Sequence, residues 1–208
     1  MNVSRGMLIS ASILGLFAIA GALLVALTYD TTSEQVQQNK RAFTLTRLHE
    51  LIPPHLHDND MDRDTIEVAD SLLGSNQPAT VYRARKNGQP VAAIIQAVAP
   101  DGYSGRILLL VAIKLDGNLA GVRVVEHGET PGLGDAIDAR KSDWIQQFAG
   151  RTIGDPPAGQ WKVKRDNGSF DHITSATITS RAVVKAVYNS LTYFAAHRDE
   201  LFATRSKP

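Results

Sequence analysis

The chain has 208 residues, 43% of them hydrophobic and 21% charged, and its 22 basic and 21 acidic side chains leave a formal net charge of +1. It contains no cysteine, which excludes disulfides, thiolate-bound zinc, thiolate-bound iron–sulfur clusters and cysteine nucleophiles within it. The composition is that of a folded protein, and the near-neutral balance excludes the broad basic face that nucleic-acid binding requires.

Charge is unevenly placed. Every acid lies at or beyond Asp30, and Arg5 is the one basic side chain before it. Between them, residues 7–27 form an uncharged run whose only hydroxyls are Ser10 and Ser12. At about 1.5 Å per residue this run spans about 30 Å, the thickness of a bilayer core. A buried soluble helix is seldom apolar on every face. A cleaved signal peptide has a shorter apolar stretch and ends in a small-x-small site, which Leu24-Val-Ala-Leu27 does not supply. The reading is a retained single-span anchor, with Gly15 and Gly21 as small positions for helix packing. Arg5 precedes the span and Asp30 and Glu34 follow it, so the positive-inside rule places the N-terminus in the cytoplasm and residues 30–208 outside.

Residues 30–48 carry Val36, Phe43, Leu45 and Leu48 at helical spacing and read as a stalk or docking helix, stopped before Pro53-Pro54. The acid-rich stretch 55–64 places Asp58, Asp60 and Asp62 like the first ligands of a calcium loop. Arg63 and Ala69 stand where that loop needs glycine and glutamate, so it reads as a solvated loop or helix start. Strands are expected at 80–85, 91–98, 107–115 and 119–126. Asn87-Gly88 marks a two-residue hairpin and Asp116-Gly-Asn118 a second turn, and the third of these strands is apolar enough to be buried on both faces. Residues 136–149 read as a helix from the spacing of Ile137, Trp144, Ile145 and Phe148. A short strand is expected near 160–163, and a final helix over 178–197 buries Val183, Val184, Val187, Leu191 and Phe194. The fold class is α+β: an N-terminal transmembrane helix, then a domain with a mainly antiparallel sheet and flanking helices. Its parts are an anchor over 1–29, a linker over 30–75 and the folded domain over 76–208.

Gly132-Leu-Gly134 fails as a dinucleotide fingerprint because Ile137 takes the third glycine's place, and no phosphate-binding P-loop or hydrolase nucleophile elbow is present. Two segments remain. Residues 126–135 pack three glycines and a proline into a loop after a strand, which serves either tight turns or a close approach of backbone to a ligand. Residues 171–180 cluster hydroxyls at the start of the last helix. Thr174, Ser175 or Thr177 there serves either as a cap or, with the free N–H groups and the helix dipole, as a seat for a phosphate.

The stretch Asp171-His-Ile-Thr174-Ser175-Ala176-Thr177 resembles the Asp-x-x-Ser/Thr-Gly-Ala-Thr motif at which FMN-binding domains are covalently flavinylated, and His127-Gly-Glu-Thr-Pro-Gly-Leu-Gly134 resembles the loop that accompanies it. With the anchor, the chain is similar over nearly its whole length to the RnfG family, the G subunits of Rnf (Rsx) ion-translocating electron-transport complexes. That family is related to the C subunit of the sodium-pumping NADH:quinone reductase. Ser175 departs from the motif, replacing its glycine. The resemblance implies FMN as cofactor, joined through its phosphate to Thr177 by a flavin transferase. It implies that Asp171 belongs to the recognition signal, that Thr174, Ser175 and Ala176 surround the phosphate, and that Glu129, Thr130 and Leu133 line the flavin ring. The function implied is an electron relay without independent catalysis or a metal site, assembled with the rest of an Rnf-type complex in a bacterial inner membrane, its domain periplasmic. A periplasmic single-span scaffold and a noncovalent flavin-binding module are the alternatives.

Overall fold

The structure, a computed structural model, describes residues 3–203. It divides into two compact units between Thr44 and Leu45. The first unit is helical throughout its described residues, as part of α1 (Val3–Leu51). Within it, Gly6–Tyr29 is long and apolar enough to cross a membrane, and none of this stretch is buried by the protein. Leu8, Phe17 and Leu24 each leave about two-thirds or more of their surface uncovered. In water that exposure would be strongly unfavourable; in hydrocarbon it is the ordinary state of a spanning helix. The side chains of Arg5, Asp30, Glu34 and Lys40 lie outside the described residues. The helix expected over 30–48 is not a separate element: α1 continues through it and ends at Leu51, just ahead of Pro53 and Pro54.

The second unit is built on one antiparallel meander, β1 (Thr65–Val68), β2 (Ala79–Lys86), β3 (Gln89–Ala99), β4 (Ile107–Lys114) and β5 (Leu119–Glu126), in sequential order. Strand alternation produces two apolar faces. Val81, Ile95, Leu109, Val111 and Val124 lie on one, packed beneath α2 (Thr177–Ala203) through Val183, Val187, Leu191 and Phe194. Ala84, Ile94, Leu110 and Ala112 lie on the other, covered by Leu48, Leu51, Ile52 and Met61. The central strand β4 is buried on both sides, as its unbroken apolar run requires. Asn87 and Gly88 join β2 to β3 with positive φ at both positions (51° and 75°), the signature of a type I′ turn.

Three local expectations change. A short edge strand, β1, forms in the stretch read as linker. Residues 136–149 form two 3₁₀ segments, Gly134–Ile137 and Trp144–Phe148, rather than an α-helix. Side chains compete for the backbone there: the Ser142 hydroxyl donates to the Ala136 carbonyl (2.6 Å) and accepts from the Trp144 N–H (3.1 Å), while Asp138 Oδ1 accepts from the Arg140 N–H (2.9 Å). The apolar spacing still marks the buried residues, Ile137, Ile145 and Phe148. The strand expected at 160–163 is reduced to a single bridge between Val163 and Phe170. An aromatic cluster holds this long connection against α2, with Phe170 5.0 Å from Phe148 and 4.7 Å from Trp161, and Trp161 5.3 Å from Tyr188.

Candidate functional site

The loop after β5 and the head of α2, about 40 residues apart in sequence, meet across an open cleft of about 370 Å³. That volume is within the range of small-molecule sites. Glu129, Gly134 and Thr179 form its floor, Thr130, Ser175, Ala176 and Thr177 its sides, and Tyr103, Leu133 and Ile178 its mouth. The three mouth residues are exposed, Tyr103 to 70%, so they present apolar surface without a protein partner.

The floor explains the glycine-rich loop. Glu129 is only 4% exposed, yet both carboxylate oxygens are engaged: Oε2 accepts from the hydroxyl of fully buried Thr179 (2.7 Å) and Oε1 from the Ser104 N–H (3.1 Å). Gly134 lies directly over this pair. A Cβ there would stand 2.7 Å from Glu129 Oε2 and 2.9 Å from its Cβ, so only glycine admits the close approach. The turn itself is closed by the Thr130 carbonyl, which accepts from Leu133 N–H (3.1 Å), and by Asp135 Oδ1, which accepts from Gly132 N–H (2.8 Å).

Beyond the turn, Asp138 is buried between two arginines. Hydrogen bonds from Arg140, with Arg47 3.8 Å away, hold its carboxyl down to about 2 against the opposing effect of burial. Arg47 also donates to Glu50 (2.9 Å), which accepts from Arg123 of β5 (2.8 Å). The last turn of α1 and the strand below are thereby tied to the loop that forms the cleft.

At the other wall, Thr177 is the first residue of α2. The first described helical bond runs from Ser180 N–H to the Ala176 carbonyl (3.1 Å), so the N–H groups of Thr177, Ile178 and Thr179 have no helix carbonyl to bind. Among the described residues, no hydroxyl of Thr174, Ser175 or Thr177 caps them. Capping is done differently: Ser180 Oγ accepts from Ile173 N–H (3.0 Å) and donates to the Ala176 carbonyl (3.0 Å). Thr177 Oγ1 instead accepts from Arg165 Nη1 at 3.2 Å.

Ser175 adopts φ = 69°, and the turn around it explains why. Ala176 N–H donates to the Ile173 carbonyl (3.0 Å), which makes Ser175 the third residue of a β-turn where positive φ favours glycine. The other non-glycine residues with positive φ are Asn87 and Asn167, both of a type that tolerates it. Restoring glycine by Ser175→Gly is therefore expected to stabilise the protein by about 1 kcal/mol, raising the melting midpoint by about 2–4 °C. An unchanged or lowered midpoint in calorimetry of the full chain would mean that the turn carries no strain.

The expected residues thus divide. Thr177, Ser175, Ala176, Glu129, Thr130 and Leu133 converge on the cleft. Asp171 and Thr174 are outside it: neither lines the cleft. Asp171 pairs with Lys164 (2.7 Å), and its backbone is held by Gln147 (2.7 Å) and by Trp144 Nε1 (2.8 Å). Tyr103, Arg165, Ile178 and Thr179 join the site without having been expected there; Ile178 simply follows Thr177. Thr179 had a signal, a threonine two places beyond Thr177, but Tyr103 and Arg165 reach the cleft only through the tertiary path of the chain.

A family model described as an FMN-binding domain matches residues 102–192, which contain both walls of the cleft, and one described as the RnfG N-terminal region matches residues 1–51. The G subunit of the ion-translocating oxidoreductase complex of Pseudoalteromonas atlantica is 47% identical over 94% of this chain and 91% of its own length. Its counterpart in Pseudomonas aeruginosa is 48% identical over 96% of this chain and 94% of its own. A solved structure of the C subunit of Na⁺-translocating NADH-quinone reductase from Parabacteroides distasonis aligns with 62% of this chain and 65% of that one, at 23% identity and a TM-score of 0.44. The chain belongs to the RnfG family, the G subunits of ion-translocating oxidoreductase complexes, as a single-pass membrane protein with an FMN-binding domain.

Proposed function

We propose that this chain is an electron relay that carries FMN covalently, as a phosphodiester on Thr177. It would work beside the other components of a membrane ion-translocating oxidoreductase complex, with its folded domain on the periplasmic side. The observation that carries the reading is the convergence on one cleft of a threonine hydroxyl, an arginine, a helix start whose first N–H groups have no helix carbonyl among the described residues, and exposed apolar side chains. A phosphate suits the helix start, where N–H groups and the helix dipole favour negative charge. A flat aromatic ring system suits the exposed apolar surface of Tyr103, Leu133 and Ile178. Bound flavin supplies the one- and two-electron chemistry, and the chain fixes its place, exposure and surroundings. Asp171 stands outside the cleft, where a side chain read by a separate flavin transferase would have to be. Orientation rests on the charges flanking the span, Arg5 before it and Asp30 and Glu34 after it.

The test is the intact mass of the denatured protein after co-expression with an active flavin transferase, with Thr177→Val alongside. The wild type is expected to gain the mass of FMN less one water and to fluoresce on a denaturing gel, and the valine variant to do neither. A wild type of unmodified mass that releases flavin on denaturation would replace this reading with a noncovalent site. One without flavin in either form would leave a scaffold.

A further inference from the structure

One side chain in the cleft carries a charge that closes no ion pair among the described residues. Arg165 is the basic residue lining the cleft, and among the described residues no carboxylate lies within ion-pair distance of it. Its neighbours are all committed elsewhere. Lys164 pairs with Asp171 (2.7 Å), and Asp166 accepts two bonds from Arg181, both at 2.6 Å. Arg181 lies one helical turn after Thr177, so this fork clamps the 3₁₀ turn Lys164–Asp166 onto the head of α2. Asn167, left-handed at φ = 59°, and Gly168, which leaves no room for a Cβ beside the Lys162 carbonyl, fix the far side of the same turn. An arginine presented by a braced turn loses less freedom on binding than one on a mobile loop. Its Nη1 already donates to Thr177 Oγ1 (3.2 Å).

We propose that Arg165 is the counter-ion of the phosphodiester on Thr177, a positioning residue for the linked cofactor that rests on the covalent reading above. A phosphodiester at Thr177 Oγ1 brings one full negative charge. The three free N–H groups of α2 and the helix dipole offer it only partial charge. The guanidinium, already within hydrogen-bond reach of the ester oxygen's position, offers a whole one in a geometry that forks onto phosphate oxygens. Without a phosphate, the same side chain makes one long bond to a neutral hydroxyl at an exposed position, which is of little structural use.

The test compares the full-length wild type, Arg165→Gln and Arg165→Lys, each purified in detergent with and without flavin-transferase co-expression. The readouts are intact mass and the melting midpoint of the loaded form minus that of the unloaded form. The wild type is expected to melt higher when loaded, by an increment that shrinks as salt is raised. In Arg165→Gln this increment should fall by roughly half and its salt dependence should weaken, with Arg165→Lys in between. Loss of FMN from the glutamine variant but not from the lysine variant, with unloaded midpoints unchanged, also supports the assignment, because charge is what the lysine variant keeps. An equal increment in all three proteins overturns it. So does loss of FMN from both variants, which would make Arg165 a contact for the transferase. A wild type without covalent FMN is a different result: it removes the reading on which the proposal stands and overturns both.

Discussion

Replacing Glu129 by alanine is expected to lower the stability of the folded domain by about 2 kcal/mol and to open the cleft. The carboxylate is almost fully buried, and one buried donor depends on it, the Thr179 hydroxyl at 2.7 Å, together with the N–H of exposed Ser104 at 3.1 Å. Alanine leaves the buried Thr179 hydroxyl without this partner, at about 1–3 kcal/mol less whatever water recovers by entering, while solvent can take over the N–H of exposed Ser104. It also removes the atoms that Gly134 packs against, so the 130–135 turn loses the contact that sets its distance from α2. Glu129→Gln is the control. Its amide oxygen can accept from Ser104 N–H, while its NH₂ donates to a Thr179 hydroxyl rotated to accept, so the loss should stay below about 1 kcal/mol. Urea unfolding of the three proteins decides it, read as the midpoint at constant slope. If alanine costs no more than glutamine, the loop and helix are held together by their backbones and the carboxylate is incidental to the cleft's shape.

The same contact shows what could be read from sequence and what could not. Strands β2 to β5 were legible because alternation, an Asn-Gly turn and an apolar run are local signals that tertiary packing reinforces. The end of α1 was legible because two prolines cannot continue a helix. In 136–149 the apolar spacing named the buried residues correctly but the wrong element, because Asp138 and Ser142 bond the backbone and divert it into 3₁₀ turns. In the site, Thr177, Ser175, Ala176 and the 129–134 loop were legible through a motif. That the loop's glutamate would bond Thr179 at the head of the helix was not, since nothing local links Glu129 to Thr179, fifty residues on. Arg165 was hidden for the same reason. Its run of basic residues looks like a solvated face, and only the fold separates the one that points into the cleft from the lysine that pairs with Asp171.

The charged residues at the opposite end of α2 should behave in a contrasting way. Strand alternation places Arg83 on the face of Val81, beneath α2, where it is 1% exposed. Its Nε donates to Asp64 Oδ1 (2.7 Å) and its Nη1 to the Leu201 carbonyl (3.1 Å), while Arg85 donates to Asp64 Oδ2 (2.9 Å) and to the Phe202 carbonyl (3.1 Å). Two strand cations thus bind the carbonyls of the last turn of α2, where the helix dipole is negative. The acid-rich stretch that resembled a calcium loop supplies their carboxylate. Arg83→Met should cost about 3 kcal/mol, because a half-buried carboxylate loses part of its neutralisation and a helix carbonyl its buried donor. The damage should also be local. Amide exchange is expected to rise across 198–203 while the first turns of α2 stay protected, since that head is held independently by Ser180, Glu129 and the Arg181–Asp166 fork. Flavin loading of Thr177 should then survive in the methionine variant at temperatures below its lowered midpoint. Uniform exchange along the helix, or loss of loading in a variant that is still folded, would show instead that the two ends of α2 are one cooperative unit and that the cleft depends on the charges at the far end.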